Sequence, residues 1–337
     1  MENLVIPKSY TPDLDVIKTQ IAIKLIKDFF ENKLAEELNL IRVSAPLFVK
    51  KSTGLNDNLS GIEKPVSFNI QSGENEEQFE IVQSLAKWKR VALHKYNFKE
   101  NTGLYTDMNA IRPSETLDNI HSLYVDQWDW EKVISEKDRN LTFLHDTIKK
   151  IYKVFLMTED LLLTSYPNHK KLLPENLFIL SSQELEDALP ENTPEEREKI
   201  ISKDKRAVFI THIGGKLNSG ISHGNRAPDY DDWNLNGDLI FYNPVLENCI
   251  EISSMGIRVN PETLLNQLKI SNHEERKELP YHKMLTSKKL PQTIGGGIGQ
   301  SRMCMFFLQK AHIGEVQSSY WSEEILKRCE NSNIKIL

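Results

Sequence analysis

Three strings of the chain place charged side chains inside apolar, strand-like runs. "AIRPSE" carries Arg112 and Glu115, "YVDQWDW" carries Asp126, Gln127 and Asp129, and "GDLIFYNPVLENCIEISSMGIRV" carries Asp238, Glu251 and Arg258. An unpaired buried charge costs several kcal/mol, so each must meet a partner, a metal or a ligand. A fourth string, "QTIGGGIGQSR", puts four glycines into the five positions 295–299 and Arg302 three residues further on. Two arginines, Arg112 and Arg302, with two or three carboxylates match what a nucleoside triphosphate and Mg²⁺ require: cations for the phosphates and hard oxygen ligands for the metal. For any one of these residues taken alone, a salt bridge at a strand end remains the plain alternative.

The glycine run fits neither common phosphate loop. A Walker loop needs Gly-Lys-Ser/Thr, whereas Gly299 is followed by Gln300, Ser301 and Arg302. A dinucleotide fingerprint starting at Gly295 or Gly297 needs a glycine at Gln300 or Arg302, early in a βαβ unit rather than near the C-terminus. The following "SRMCMFFLQK" has Met303, Phe306, Phe307 and Lys310 at helical spacing, so the segment reads as an extended strand entering a helix with Arg302 in its first turn. It is either a packing turn where helix and sheet approach closely, or a flat floor for a planar ligand with a fixed cation beside it.

The elements that must position these residues can be followed along the chain. Residues 11–38 carry a helix signal from Thr11 and Pro12, with Val16, Ile17, Leu25, Phe29 and Leu38 near helical spacing. "LIRVSAPLFVKK" is strand-like but interrupted at Pro46, which predicts an edge or interface position. A hairpin with "SGENEE" at its turn precedes a helix carrying Lys87, Lys89 and Arg90. A strand at "HSLYVDQWDWEKV", a long helix over roughly 140–166, a charged helix pair through "ELEDALPENTPEEREKIISKDKR" and three strands then lead to the glycine run. With 337 residues, 39% of them hydrophobic and 27% charged, and no repeat or clear linker, the expectation is one mixed α/β (α+β) domain on a mostly antiparallel sheet flanked by helices. The net charge of −6, without a dense basic run, disfavours nucleic acid. Three cysteines without CxxC spacing, no N-terminal apolar h-region and no stretch approaching 18 apolar residues predict a cytoplasmic protein without a membrane segment or zinc site.

The order of these strings resembles motifs one, two and three of the class II aminoacyl-tRNA synthetase core: helix and strand to Pro46, strand–loop–strand opening at Arg112, and glycine strand with Arg302. Within that class, "QSLAKWKR" and "EISSMGIR" look like the amino-acid-binding and metal strands of the aspartyl/asparaginyl branch. Core-like sequence takes up nearly all of residues 11–320, so no anticodon-binding domain is expected within residues 1–337. The longer set "DNLSG", "SLAKWKR", "LYVDQWDWE", "RAPDYDDW", "NGD", "EISSMGIRV" and "PQTIGGGIGQSR" is similar to the asparagine synthetase A, or aspartate-ammonia ligase, family.

That resemblance implies that ATP and L-aspartate form β-aspartyl-AMP and pyrophosphate, and that ammonia then displaces AMP to give L-asparagine. It assigns the phosphates to Arg112 and Arg302, Mg²⁺ to Glu251 and Asp238, and the adenine floor to Gly295, Gly296, Gly297 and Gly299. Because the β-carboxylate is the one activated, aspartate should lie reversed relative to the tRNA enzymes. Lys89 and Arg258, with Lys87 and Arg226 as alternates, would then grip its α-carboxylate. Asp57, Asp129 and Asp231 are the candidates for drawing in ammonium and taking its proton or for binding the substrate α-ammonium, and Ser84, Gln127 and Ser254 are neutral hydrogen-bonders. "RAPDYDDW" is expected to be a loop that closes over substrate, with Asp229 and Asp232 solvated. The chain begins Met-Glu and its first cysteine is Cys249, so no N-terminal amidotransferase nucleophile is evident and free ammonia is the expected donor. The helix and the Pro46 strand resemble the dimer-forming motif, implying a homodimer. A ligase that aminoacylates tRNA or a protein lysine, and an inactive amino-acid sensor, are the competing functions.

Overall fold

The computed structural model describes residues 4–57, 59 and 63–337, so Asn58, Ser60 and Gly61 of the "DNLSG" string, and the first three residues of the chain, lie outside the described residues. The elements run α1 (Val16–Leu38), β1 (Leu40–Arg42), β2 (Phe48–Lys50), β3 (Ser67–Ser72), β4 (Asn75–Ile81), α2 (Ala86–Lys95), β5 (Gly103–Ile111), β6 (Tyr124–Val133), α3 (Leu141–Ser165) and β7 (Phe178–Ser181). They continue as α4 (Ser182–Ala188), α5 (Pro194–Lys205), β8 (Ala207–Thr211), β9 (Asp231–Asn243), β10 (Asn248–Arg258), α6 (Pro261–Ile270), α7 (Pro280–Thr286), β11 (Thr293–Gly299), α8 (Gln300–Phe307) and α9 (Glu323–Glu330).

Eight strands form one sheet in the order β1-β5-β6-β11-β10-β9-β8-β7. Only its two edge pairings, β1 with β5 and β7 with β8, are parallel; the rest are antiparallel. Pro46 separates β1, an edge of this sheet, from β2, an edge of the three-stranded sheet β2-β4-β3, because a residue without an N–H cannot continue the ladder. The first helix starts later than its sequence signal. Asp15, not Thr11, is the N-cap and accepts from the Lys18 N–H at 2.8 Å, leaving Thr11 and Pro12 in the approach to it.

One face of the sheet is covered by α1, α3 and α8. Phe30 of α1 stacks on Trp128 of β6 with centroids 5.0 Å apart, and Phe155 of α3 meets Phe241 of β9 at 5.2 Å. Period-two alternation then fixes the other face. With Trp128 and Trp130 in the core, Gln127, Asp129 and Glu131 of β6 project to the opposite side, where the charged residues collect. On β10 alternation alone would put Glu251 and Ser254 on opposite faces. A bulge between Glu251 and Ser253 re-phases the strand, and Ser254 Oγ lies 2.9 Å from Glu251 Oε1.

Candidate functional site

On that second face lies an open cavity of about 380 Å³, a size suited to a small-molecule substrate. Of the residues expected there, Asp57, Ser84, Lys89, Arg112, Gln127, Asp129, Arg226, Asp231, Glu251, Ser254, Arg258, Gly296, Gly297, Gly299 and Arg302 line it. Glu115, just after Arg112, does too. Lys87, Gly295 and Asp238, the last expected as a metal ligand, do not.

Gly295 departs from the expected floor for a physical reason. A Cβ there would collide with Glu131 Oε2 and lie 2.7 Å from Arg258 Nη2, and a Cβ at Gly297 would collide with Gln127 Oε1 and lie 2.7 Å from Asp129 Oδ1. The glycines of β11 therefore make room for side chains of the neighbouring β6. Only toward Gly299, where the nearest atom is Arg302 Cβ at 3.4 Å, is the strand open enough for a flat ligand.

Glu131 was not evident among the sequence candidates. It is fully buried and accepts from Arg258 Nε at 2.9 Å, Arg258 Nη2 at 2.7 Å and Thr293 Oγ1 at 2.7 Å. Burial works against its charge, but the Arg258 guanidinium outweighs it and holds the carboxyl below its usual range. Its signal was the alternation of "WDWE": with both tryptophans in the core, Glu131 had to share a face with Asp129.

Lys89 and Arg258, expected to be free to grip a carboxylate, are already engaged. Lys89 Nζ donates to the carbonyls of Trp130 and Gly296, each at 3.0 Å, and lies 3.2 Å from Asp129 Oδ2. Arg258 also pairs with Asp231. Arg226 pairs with Asp238 Oδ1 at 2.5 Å and approaches Asp231 Oδ2 at 3.6 Å. Arg112 and Arg302 differ from these three in forming no ion pair with a carboxylate among the described residues. Arg112 Nε, like Arg226 Nε, is buried without a hydrogen-bond partner, and Arg302 Nη1 donates to the Glu251 carbonyl at 3.0 Å. Both guanidiniums thus border the cavity with donating capacity to spare.

Asp238 lies behind Glu251, and the single hydroxyl proton of Ser254 is shared between them, with Oγ 2.6 Å from Asp238 Oδ1 and 2.9 Å from Glu251 Oε1. Burial, opposed by Arg226 and reinforced by Glu251, pushes the Asp238 carboxyl up to about 6. Burial works against the Glu251 charge, but Arg302 and Arg226 outweigh it and hold that carboxyl below its usual range, so an ionised carboxylate beside Asp238 suits a divalent cation. The described residues contain no group of three or more His, Cys, Asp or Glu side chains fit to hold a metal, so a cation here needs further oxygens from a phosphate.

The three acids considered for ammonium are not alike. Asp129 and Asp231 each pair with a cation, whereas Asp57 Oδ2 is buried with no hydrogen-bond partner and Oδ1 accepts from the Leu59 N–H at 3.1 Å. Burial, opposed by Lys87 and reinforced by Asp229, pushes the Asp57 carboxyl up to about 6. Asn56 pins the chain beside it, donating to Glu80 Oε2 at 3.1 Å and accepting from the Gln83 N–H at 2.9 Å.

The "RAPDYDDW" string is not the solvated loop expected. Asp231 opens β9, Asp229 is fully buried, and Asp232 is buried against Arg139. His121 is a further cavity residue with no motif to flag it; its Nδ1 lies 2.8 Å from Asp118 Oδ2. Cys304 and Cys329 are buried and Cys249 is half-buried, all three as free thiols, and no described helix is long and apolar enough to cross a membrane.

A family model described as aspartate-ammonia ligase matches residues 17–333. Curated aspartate–ammonia ligases from Clostridium perfringens (strain SM101 / Type A) and Clostridium tetani (strain Massachusetts / E88) are each 60% identical to this chain. Both alignments cover 100% of it, with 100% and 98% of the respective relatives. Entamoeba histolytica asparaginyl-tRNA synthetase, solved with asparaginyl-adenylate, matches the structure with a TM-score of 0.61 at 14% identity, covering 91% of this chain and 68% of that one. Entamoeba histolytica aspartyl-tRNA synthetase gives 0.60 at 17% identity, covering 89% and 58%. At such identities the likeness shows the fold, that of the class II aminoacyl-tRNA synthetase core, as its antiparallel sheet and flanking helices require.

Proposed function

Because the chain belongs to the aspartate-ammonia ligase family, enzymes that make asparagine from aspartate, we propose that it works through a β-aspartyl-adenylate, with residues 1–337 acting as one catalytic unit. The observation that carries this reading is that two arginines with spare donors, Arg112 and Arg302, line one cavity with Glu251 and with a buried Asp57 whose Oδ2 has no hydrogen-bond partner.

Arg112 and Arg302 bind the triphosphate and neutralise the charge that develops as the β-carboxylate attacks the α-phosphorus and pyrophosphate leaves. Asp238 and Glu251 would hold Mg²⁺, which when bound neutralises phosphate charge. Gly296, Gly297 and Gly299 border the path of the adenosine, with the open end at Gly299 admitting the flat base. Aspartate enters as a zwitterion, and the mixed pairs Lys89–Asp129 and Arg258–Asp231 suit it. Its α-ammonium takes up Asp129 or Asp231 while its α-carboxylate meets the released cation, with Arg226, Ser84, Gln127 and Ser254 adding hydrogen bonds. The β-carboxylate is thereby turned toward the phosphates.

In the second step ammonium loses one N–H proton to Asp57, and the freed nitrogen pair attacks the acyl carbon. As the tetrahedral adduct collapses, AMP departs with the electrons of the acyl C–O bond and its phosphate takes the further proton that the nitrogen sheds. Asp57 must be ionised to act, so the ammonia step should be present above pH 6 and fall as pH drops through about 6. Asp57→Asn should slow that step by about 10²–10⁴-fold. The test incubates protein with ATP, Mg²⁺ and aspartate, with and without ammonium. Asparagine and AMP in equal amounts support the reading; pyrophosphate exchange without asparagine points instead to a tRNA or protein acceptor. Glutamine should give little turnover, and rates equal to those with ammonium chloride would exclude ammonia as the dedicated donor.

The free thiols fit a reducing, cytoplasmic setting. A homodimer is supported by Ile17 and Ile21, one turn apart on α1 and 70% and 59% exposed, and by Ile41 of edge strand β1 at 62%. Sedimentation at low micromolar concentration should give a dimer, and a monomer there would rule it out.

A further inference from the structure

Behind Asp57 lies a buried ionic network that the reaction as described does not use. Lys87, in the first turn of α2, is 4% exposed and donates to Asp229 Oδ2 at 3.2 Å. The same oxygen accepts from Arg276 Nη1 at 3.2 Å and lies 3.0 Å from His282 Nε2 of α7. Asp229 and His282 are fully buried, and burying an ion pair this deeply is seldom justified by stability alone. Arg276 lies on the short 3-10 helix Glu274–Glu278, and the turn after it also seats the loop that leads to Asp57. A Cβ on Gly54, whose φ is +70°, would lie 2.9 Å from Leu279 Cβ, and Leu55 packs on the cluster of Tyr281 and Leu285. One helical segment therefore holds both the Asp57 loop and the anchor of Lys87.

We propose that the Lys87–Asp229 pair, clamped by His282 and Arg276, is a positioning element for the ammonia step: through the segment that carries Arg276, Leu279 and His282 it holds Lys87 and the Asp57 loop in one fixed arrangement, and so fixes the charged surroundings in which Asp57 meets ammonium. The inference rests on Asp57 being the proton acceptor. The charged and titratable groups around Asp57 are Lys87 from α2, Asp229 and Tyr230 from the segment before β9, and Arg112 after β5. Lys87 favours the ionised form and Asp229 opposes it. Asp229 itself stays ionised, since Lys87, His282 and Arg276 together overcome the cost of burial, and Tyr281 is the other titratable group beside it. Its charge is therefore constant across the pH range in which Asp57 titrates.

Opposite displacements distinguish this role from a merely structural one. Lys87→Met removes the cation that opposes Asp229, leaving only Arg112 to favour the ionised form, so the acid limb of asparagine formation should move up by about one pH unit. Asp229→Asn leaves Lys87 without its counter-charge, so the limb should move down by a similar amount. Arg276→Met, at the 12% exposed edge of the network, is the milder variant and should move the limb slightly upward. Rates are taken against total ammonium and divided by aspartate-dependent ATP–pyrophosphate exchange of the same variant, which reports folding and the first half-reaction. Limbs that stay in place, or Lys87→Met and Asp229→Asn moving in the same direction, overturn the proposal. If Asp57→Asn keeps the ammonia step and its acid limb, the assignment of Asp57 fails. If it loses them while the network variants leave the limb untouched, that assignment stands and the network has no such role.

Discussion

Replacing Arg302 with alanine is expected to lower aspartate-dependent pyrophosphate release by about a thousandfold, the scale set by removing a preorganised cation or donor from a developing phosphoryl charge. Arg302 occupies the first turn of α8, immediately after the glycine strand, and its hydrogen bond to the Glu251 carbonyl aims it across the cavity rather than into the core. Loss of that bond should cost only about 1 kcal/mol of stability. Circular dichroism and the urea midpoint should therefore be close to wild type while the first half-reaction collapses. Unchanged pyrophosphate release would refute the role given to this arginine.

Glu131→Ala should act in the opposite sense, on stability first. The substitution strips the acceptor from Arg258 Nε and Nη2 and from Thr293 Oγ1 at a place where Glu131 and Arg258 are at most 2% exposed and water cannot substitute. Removing one partner of a buried pair typically costs about 3–5 kcal/mol, much of it the penalty of the charge left behind. Urea unfolding should show a lowered midpoint with little change in slope. Glu131→Gln, which keeps the shape and one acceptor oxygen, should recover part of the loss. The surviving enzyme should also bind aspartate more weakly, because Asp231 is the one carboxylate left to hold Arg258, which otherwise only stacks on the Tyr230 ring, once Glu131 is gone. An unaltered midpoint would mean that Arg258 finds another partner.

Both variants bear on what was legible in the residues themselves. The strings around Arg112, Asp129, Glu251, Arg258 and Arg302 stand out because charge inside an apolar run is costly, and the structure brings all five to one cavity. The glycine run was legible as a strand entering a helix, and β11 followed by α8 is that arrangement. Its purpose was not. Whether a glycine faces a ligand or a neighbouring side chain depends on which strand lies beside it, and β6, distant in sequence, fills the space above Gly295 and Gly297.

Composition and alternation by themselves determined the mixed fold on an antiparallel sheet and marked most of the residues that meet in the cavity, while the family was legible only as a resemblance of the motif strings. These are local or period-bound properties, written in each segment's own spacing. Tertiary structure alone decided the charge partners. The bulge that brings Glu251 and Ser254 to one face, the engagement of Lys89 and Arg258 by Asp129, Glu131 and Asp231, and the burial of Asp229 beneath Lys87 all arise between segments far apart in the chain. A carboxylate read as a solvated loop residue becomes a fixed buried charge only when distant helices close over it, because electrostatic state depends on neighbours and dielectric rather than on sequence spacing.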